Sequence, residues 1–339
     1  MLAILLLSLL LWTTCPSSPV PDLMTEAVSQ GKAELELWLR GGSPKRDLLC
    51  ATFLSTNQSS FQTTLTNSQT LKCDWAVVFY NMSDAGRKRA LCDELASKVR
   101  VVHCEGAMVR YNSSLYRRLH FTPSFMNNYD ALLSRKFNPN MSTLPKQAMY
   151  LDLLPYLPNY RRVLLLDSDM LFSEFNFDLG MRIWDCAFHP PPLVVQAAIV
   201  GKTLCRENRA RWWKNFGNRT RSRSTEFVLA GEIPYIEQQA PFLHAGFLYW
   251  FLKSVLRRYT LFEHLEKAND WGTDTIWCGA GRAFGRYVLD YENYSIPCAL
   301  ITGAGPVYHT STKTINKNID FMNSGLEVFR VYKSQFKRW

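Results

Sequence analysis

A continuous apolar strand that ends in two carboxylates constrains the fold most. Residues 162–166 read Arg-Val-Leu-Leu-Leu and run directly into Asp167, Ser168 and Asp169. A strand that is apolar on both faces needs cover on both faces, which is typical of parallel sheets between layers of helices. Ligands of such sheets bind beyond the carboxyl ends of the strands. The motif therefore predicts an α/β fold with a functional site at that edge.

Other segments fit the same alternation of strands and helices. Predicted strands cover residues 47–54, 74–80, 99–103, 162–166 and 193–200, and predicted helices cover 87–98, 146–157 and 242–258. The Ser-, Thr- and Asn-rich stretch between the first two strands is predicted to be a connection. With 339 residues, 47% of them apolar, the chain can form one large α/β domain. We expect a mixed, mainly parallel sheet flanked by helices, within residues 46–315.

The two ends of the chain are expected to lie outside this domain. Residues 1–15 predict a signal peptide or a short signal anchor, because their apolar run is too short for an ordinary membrane span. A buried N-terminal helix is the alternative. Residues 16–45 are polar and are expected to form a stem or linker, and the basic residues 316–339 are expected to form a C-terminal tail.

Glycosylation signals and cysteines also indicate the secretory pathway. The six Asn-x-Ser/Thr acceptors are Asn57, Asn81, Asn112, Asn140, Asn218 and Asn293. Loss of Cys15 with a leader would leave eight of the nine cysteines, an even number that suits disulfides in an oxidising compartment. Buried free thiols are the alternative. We expect the chain in the lumen of the Golgi or endoplasmic reticulum, or secreted.

The basic charge indicates an anionic partner. The net charge of +10 is compatible with nucleic acid, an anionic membrane surface or a phosphorylated small molecule. Seven basic residues surround Trp212 and Trp213 in the segment 205–223. This segment could be a donor or acceptor loop, or simply a solvated basic loop. Nucleic acid is the weaker interpretation for a chain in the secretory route.

The Asp-Ser-Asp motif has a specific chemical interpretation. Asp167 and Asp169 could share a hard divalent cation, which takes oxygen ligands and keeps positions free for phosphates. Such a cation neutralises the charge that builds on a diphosphate leaving group as a glycosidic bond breaks. A pair of turn-forming aspartates is the structural alternative.

Three later residues are candidates for the same site. Glu237 precedes an apolar segment, Asp274 stands among aromatic residues that could stack on a sugar ring, and His309 ends a short apolar run. The histidine is a candidate metal ligand. Each of the three, taken alone, is more often a structural residue than a functional one.

Taken together, these segments resemble the metal-dependent nucleotide-sugar glycosyltransferases of the GT-A fold. Within that class, the chain is most similar to an uncharacterised plant and bacterial transferase family labelled "lysine-ketoglutarate reductase trans-splicing related". The matching pieces are residues 146–155, 163–170, 237–242, 271–274, 307–309 and 314–315. Their order and spacing agree from residue 74 to residue 315.

The resemblance implies a role for each candidate. Residues 167–169, including Ser168, would bind the nucleotide-sugar donor and the metal, Mn²⁺ or Mg²⁺, and His309 would complete the metal coordination. Glu237 or Asp274 would position the acceptor hydroxyl or act as general base. The expected reaction is transfer of a hexosyl or pentosyl group to a glycan, glycoprotein or glycolipid. No nucleic-acid partner is expected, and residues 1–15 are the candidate membrane anchor.

Three other functions deserve comparison. In a haloacid-dehalogenase-like phosphatase, Asp167 would attack phosphorus and Asp169 would be the acid or base, but residues 170–172 lack the usual Gly-Thr turn. A secreted carbohydrate-binding protein without catalysis is the non-enzymatic alternative, and the intact Asp167, Asp169 and His309 argue against it. The third alternative is an oxidoreductase with a dinucleotide site in the glycine-rich segment 279–285. That segment has the wrong glycine spacing for such a site, and no apolar strand precedes it.

Overall fold

Most of the predicted domain is described by the structure, a computed structural model. The described residues are 28–29, 31–33, 46–54, 58–79, 84–106, 149–200, 229–233, 236–255 and 274–310. The strands are β1 (Arg46–Leu54), β2 (Asp74–Phe79), β3 (Val101–Gly106), β4 (Tyr160–Asp167), β5 (Met170–Leu171), β6 (Val194–Ala197), β7 (Ile199–Val200), β8 (Ala230–Glu232), β9 (Pro241–His244), β10 (Cys298–Ile301) and β11 (Val307–His309). The α-helices are α1 (Gln58–Thr70), α2 (Ala85–Ala96), α3 (Phe177–Cys186), α4 (Ala245–Trp250) and α5 (Asp274–Ala283), and single π-helical turns extend α4 over Phe251–Val255 and α5 over Phe284–Val288.

The central sheet has eight strands in the order β3-β2-β1-β4-β9-β6-β10-β8. Strand β1 is parallel to β2 and β4, β2 is parallel to β3, and β6 is parallel to β10. Strand β9 runs antiparallel between β4 and β6, and β8 runs antiparallel to β10 at the far edge. The prediction of a mixed, mainly parallel sheet flanked by helices is therefore confirmed.

A second, three-stranded sheet lies beyond the carboxyl end of β4. Its order is β5-β11-β7. Strand β5 follows β4 after a two-residue turn, and β7 follows β6 after Ala198. The late strand β11 pairs antiparallel with β5 and parallel with β7. Chain segments that leave two central strands are thus joined to a strand more than a hundred residues later.

Both faces of the central sheet are covered, as the continuous apolar strands require. Side chains of β1 alternate between two hydrophobic clusters: Leu49, Ala51 and Phe53 enter one, and Leu48, Cys50 and Leu54 enter the other. The first cluster packs against α4 and α5, and the second packs against α1, α2 and α3. Because helices cover both faces of the sheet, its central strands appear in the sequence as uninterrupted apolar runs.

Disulfides fasten the helices to the sheet. The bonded pairs are Cys50–Cys73, Cys92–Cys104 and Cys278–Cys298. They link β1 to the segment between α1 and β2, α2 to β3, and α5 to β10. The expectation of disulfides is confirmed for these six cysteines. Cys186 is a free, exposed thiol, and Cys15 and Cys205 lie outside the described residues.

Two sequence-based elements differ in type from the prediction. The Ser-, Thr- and Asn-rich stretch that was expected to be a connection forms the 13-residue helix α1. Its residues are poor helix formers, so burial of Leu65 and Asn67 against the domain overrides their propensity. The predicted helix 242–258 begins instead as strand β9. Its helix starts after His244, whose Nδ1 accepts a hydrogen bond from the Phe247 N–H as an N-cap.

Two further elements are broken where one was expected. The described part of the predicted helix 146–157 has the helical residues 149–150 followed by a short 3₁₀ turn at Leu151–Leu153. Another 3₁₀ turn forms at Leu157–Asn159, and Pro155 and Pro158 explain the interruption because proline lacks a backbone donor. The predicted strand 193–200 is divided into β6 and β7, which belong to different sheets.

Part of the predicted stem contacts the domain. Residues 28–29 and 31–33 are helical, and a Cβ atom at Gly31 would lie 2.4 Å from Trp250 Nε1, so only glycine fits there. Lys32 Nζ bonds to Asp290 Oδ1 at 2.9 Å. The remaining stem residues, residues 1–15 and the tail 316–339 lie outside the described part, and the domain boundaries stay predictions. Among the helices that are described, none is long and apolar enough to cross a membrane.

Candidate active site

The Asp-Ser-Asp motif lies at the carboxyl end of β4, as predicted. Asp167 is the last residue of β4, Ser168 and Asp169 form the turn, and all three are half-buried. Asp and Ser are common in turns because their side chains can bond to nearby backbone. The Asp167 N–H donates to the Gln239 carbonyl at 2.8 Å. The backbone of the motif is therefore fixed where the sheet ends.

His309 meets this motif from far along the chain. Its Nε2 atom lies 3.4 Å from Asp169 Oδ2, with exposed side-chain fractions of 7% for His309 and 32% for Asp169. The separation is longer than a normal hydrogen bond. The backbone N–H and the hydroxyl of Thr310 both donate to the Asp169 carbonyl at 2.8 Å. Asp169 is thus bound through its main chain, while its carboxylate faces the imidazole.

The register of β11 brings His309 to this position. His309 is opposite Met170, and Tyr308 is opposite Leu171. The chain enters β11 through Gly305, whose φ of +94° favours glycine; a Cβ atom there would lie 2.4 Å from the Glu174 carbonyl oxygen.

A side-chain contact supports the same register. The Tyr308 hydroxyl donates to Glu174 Oε2 at 2.5 Å. This hydrogen bond raises the pKa of Tyr308 above its ordinary value, and the Glu174 charge contributes in the same direction. Backbone pairing fixes β11 beside β5, and this exposed side-chain contact is compatible with the same register.

Glu237 is held at the same edge of the sheet. The Gln196 side chain, which is 3% exposed, donates from Nε2 to the Glu237 carbonyl and accepts from the Glu237 N–H, both at 3.2 Å. Two residues later, the Gln239 carbonyl accepts from Asp167. The half-buried Glu237 thus belongs to a segment that passes directly beside the Asp-Ser-Asp motif.

Asp274 is placed only through its backbone. It is the first residue of α5, and its side chain lies outside the described part of the structure. The neighbouring residues 271–273 and the basic segment 205–223 also lie outside it. The acceptor-side roles of Asp274 and Glu237 stay predictions.

A side-chain contact joins Asp169 and His309, two of the three predicted metal ligands. Among the described residues, no group of three or more His, Cys, Asp or Glu side chains is arranged to hold a metal ion. Asp169 and His309 do form a pair. Donors about 2.1 Å from one octahedral ion lie roughly 3 Å apart, so the 3.4 Å separation of this pair fits shared coordination. A third contact from Asp167 stays a prediction.

A buried amide beside the site was not predicted from the sequence. Asn67 in α1 is 1% exposed and donates from Nδ2 to the Met170 carbonyl at 2.7 Å. Its Oδ1 accepts from the Phe172 N–H at 2.9 Å. A single Asn in a Ser- and Thr-rich stretch carries no local signal of a partner a hundred residues away. Only the fold reveals this contact.

Comparisons with known proteins identify no family. No protein-family model and no curated protein matches the chain. The similar solved structures include a glucosyl-3-phosphoglycerate synthase from Mycobacterium tuberculosis, determined with Mn²⁺, uridine diphosphate and glucosyl-3-phosphoglycerate. It has 12% identity and a TM-score of 0.40, with 91% of this chain and 84% of that chain covered. A structure described as a mycobacterial protein has 11% identity and a TM-score of 0.40, with 96% and 80% covered. Likeness at this level establishes neither a shared family nor a shared activity.

Proposed function

We propose that the chain is a metal-dependent glycosyltransferase of the GT-A fold. It would transfer a sugar from a nucleotide-sugar donor to an acceptor hydroxyl. The observation that carries the proposal is the Asp169–His309 pair at the carboxyl end of β4. This edge of a mainly parallel sheet is where ligands of α/β proteins bind. The resemblance of residues 74–315 to this enzyme class supports the same conclusion.

The donor atoms of the pair suit a hard divalent cation. Asp169 offers carboxylate oxygen and His309 offers an imidazole nitrogen, a set compatible with Mn²⁺ or Mg²⁺. Such ions are commonly held by one or two protein side chains and keep their other positions for phosphates. The bound ion would neutralise charge on the departing nucleoside diphosphate. Asp167 and Ser168 would complete the contacts to metal and donor.

The surrounding residues would hold and orient the reactants. The Asp167 N–H donates to the Gln239 carbonyl and Thr310 donates to the Asp169 carbonyl, so both aspartates are anchored through their backbone. Glu237, half-buried beside Asp167, would position the acceptor hydroxyl or take its proton. Asp274 is the alternative for this role. Backbone anchoring of the motif before any ligand binds reduces the ordering that binding requires.

We also propose a luminal setting. Three disulfides suit an oxidising compartment, and residues 1–15 would be the leader or anchor. The acceptor would then be a glycan, glycoprotein or glycolipid of the Golgi or endoplasmic reticulum, or of the exterior.

Turnover of nucleotide sugars tests the proposal directly. The purified full chain would be screened against a panel of nucleotide sugars with and without Mn²⁺, and release of nucleoside diphosphate would be measured. We expect metal-dependent release that Asp169→Asn abolishes. Asp178→Asn is the matched control, because Asp178, on α3, is an exposed carboxylate that pairs with Lys72. Phosphate release from simple phosphomonoesters would favour the phosphatase, and glycan binding without turnover would favour the binding protein.

A further inference from the structure

The Asn67 amide occupies the outer edge of β5. In the small sheet, β5 is an edge strand, with β11 on its inner side. Asn67 bonds to the Met170 carbonyl and to the Phe172 N–H, which are the backbone groups on either side of Leu171. In an antiparallel ladder, alternate residues direct both backbone groups to the same side. The amide therefore takes the place that another strand would have taken.

This contact lies one residue away from the candidate metal pair. Met170 follows Asp169 directly and is opposite His309 in the β5–β11 pairing. The neighbouring carbonyl of Asp169 is held by Thr310 on the β11 side. Hydrogen bonds therefore hold the turn that carries Asp169 on both sides, with β11 on one side and with Asn67 on the other.

The helix that carries Asn67 is itself firmly attached. The Asn67 carbonyl accepts from the Leu71 N–H at 2.8 Å, and shortly afterwards Cys73 is bonded to Cys50 in the middle of β1. The side chain of Asn67 is 1% exposed, so water offers no substitute for either of its hydrogen bonds. A change at this position should be felt along β5.

We propose that Asn67 is a positioning residue, which sets the separation of Asp169 and His309 by fixing β5. This inference rests on the proposed function, in that the pair must bind a divalent cation. Mutation of an outer group that orients metal ligands typically changes the metal affinity by 10- to 100-fold. Loss of the Asn67 amide is therefore expected to weaken metal binding without removing a ligand.

A second buried amide provides the control. Gln196 bonds to both backbone groups of Glu237, and it is 3% exposed. It thus resembles Asn67 in chemistry and burial, but the backbone that it holds carries neither Asp169 nor His309. Asn67→Asp and Gln196→Glu each keep the acceptor oxygen and remove the donor. A merely structural role would give both variants the same metal affinity as the unmodified protein.

Mn²⁺ affinity tests the inference. The full chain and its variants would be titrated with Mn²⁺, alone and with uridine diphosphate, and free Mn²⁺ would be measured by electron paramagnetic resonance; urea unfolding would report stability. We expect Asn67→Asp to weaken Mn²⁺ binding about tenfold or more and Gln196→Glu to change it less than about threefold. Asn67→Ser, which introduces no buried charge, carries the same expectation and replaces Asn67→Asp if that variant does not fold.

Each contrary result has a distinct meaning. Unchanged Mn²⁺ affinity in both Asn67 variants, or an equal loss in Gln196→Glu, would overturn the positioning role while leaving the metal site intact. Failure of the unmodified chain to bind Mn²⁺ under either condition would overturn the metal site and, with it, the role of Asn67.

Discussion

The charged residues at the two ends of β4 differ in burial and in hydrogen bonding. At the amino end, Arg162 has a 4% exposed side chain, bonds to both Asp47 oxygens at 2.9 and 3.0 Å, pairs with Asp185, and lies 4.9 Å from the Trp184 ring centre. At the carboxyl end, Asp169 is 32% exposed and is anchored through its main chain. The charge at the amino end of β4 thus stabilises the fold, whereas the charge at its carboxyl end stays accessible to a ligand.

Burial and hydrogen bonding distinguish a charge that stabilises the fold from a charge that can bind a ligand. A buried ion whose hydrogen bonds are all made inside the protein has no capacity left for a ligand, and breaking it costs stability. A half-exposed carboxylate with an anchored backbone contributes little to stability but is ready to bind. Variants at the two ends of β4 and around β11 are therefore expected to differ in their effects on stability and on Mn²⁺ binding.

Removal of the buried cation should have the largest effect on stability. Arg162→Met would remove the charged hydrogen bonds to Asp47 and Asp185 and the contact with Trp184, while Asp185 would keep its bond to Arg161. We expect the free energy of unfolding to fall by about 3 kcal/mol through the loss of these bonds, measured by urea denaturation. Mn²⁺ affinity of the folded protein should be unchanged, because β4 separates this cluster from Asp167 by roughly 17 Å. Arg161→Met is the control.

The control has a similar charge but little burial. Arg161 is 52% exposed and bonds to Asp185 at 3.2 Å, so its loss should cost less than about 1 kcal/mol. Equal losses of stability in the two variants would contradict the contrast between the buried and exposed arginines.

The amino end of β4 should also make stability depend on pH. Burial, with smaller contributions from the Arg161 and Arg162 charges, lowers the pKa of His244 to about 4. The unfolded chain then binds the proton first as pH falls, so stability is complete above about pH 6.5 and is lost towards pH 4. Asn at position 244 can keep the N-cap without titrating.

The corresponding measurement compares the unmodified protein with His244→Asn. The unmodified protein should lose about 2 kcal/mol more than the variant between pH 7.5 and pH 5, as measured by urea unfolding at each pH. Parallel curves for the two proteins would show that His244 is not the group responsible.

A glycine at the entry to β11 should affect both stability and metal binding. Gly305→Ala places a Cβ atom against the Glu174 carbonyl at a positive φ, and we expect about 2 kcal/mol of destabilisation together with weaker Mn²⁺ binding through displacement of β11. Gly86→Ala is the control, since its Cβ atom would meet only Asp84 Oδ1 at 3.4 Å. Unaltered Mn²⁺ binding in Gly305→Ala would show that this turn does not set the position of His309.

The smallest effect is expected at Tyr308. Its bond to Glu174 is exposed, and exposed hydrogen bonds to charged groups contribute little. Tyr308→Phe should leave the unfolding midpoint close to that of the unmodified protein and leave Mn²⁺ affinity unchanged. A loss of Mn²⁺ binding would mean that this contact, rather than backbone pairing, holds β11 in register.

The sequence predicted the parts of the molecule that depend on local pattern. Strand β4, its terminal Asp-Ser-Asp motif and the covered sheet follow from an uninterrupted apolar run that stops at carboxylates. His309 was a candidate ligand from its place after an apolar run, but only the resemblance associated it with the Asp-Ser-Asp motif, since it lies 139 positions after Met170, its β-sheet partner. Helix α1 was missed because its residues disfavour helices, and Asn67 and Gln196 were missed because each bonds to backbone far along the chain. A hydrogen bond to a backbone group does not depend on the residue type of the partner, so a sequence pattern cannot reveal that partner.

Mn²⁺ titration of variants at Asp169 and His309 tests the claim that this pair is a metal site. The unmodified chain, Asp169→Asn, His309→Ala and the control Asp178→Asn would be titrated with Mn²⁺ in the presence of uridine diphosphate, with free Mn²⁺ followed by electron paramagnetic resonance. The claim predicts one bound ion, at least about a tenfold loss of affinity in each of the first two variants, and no loss in the third. Equal affinity in all four proteins, or no binding to any of them, would contradict it.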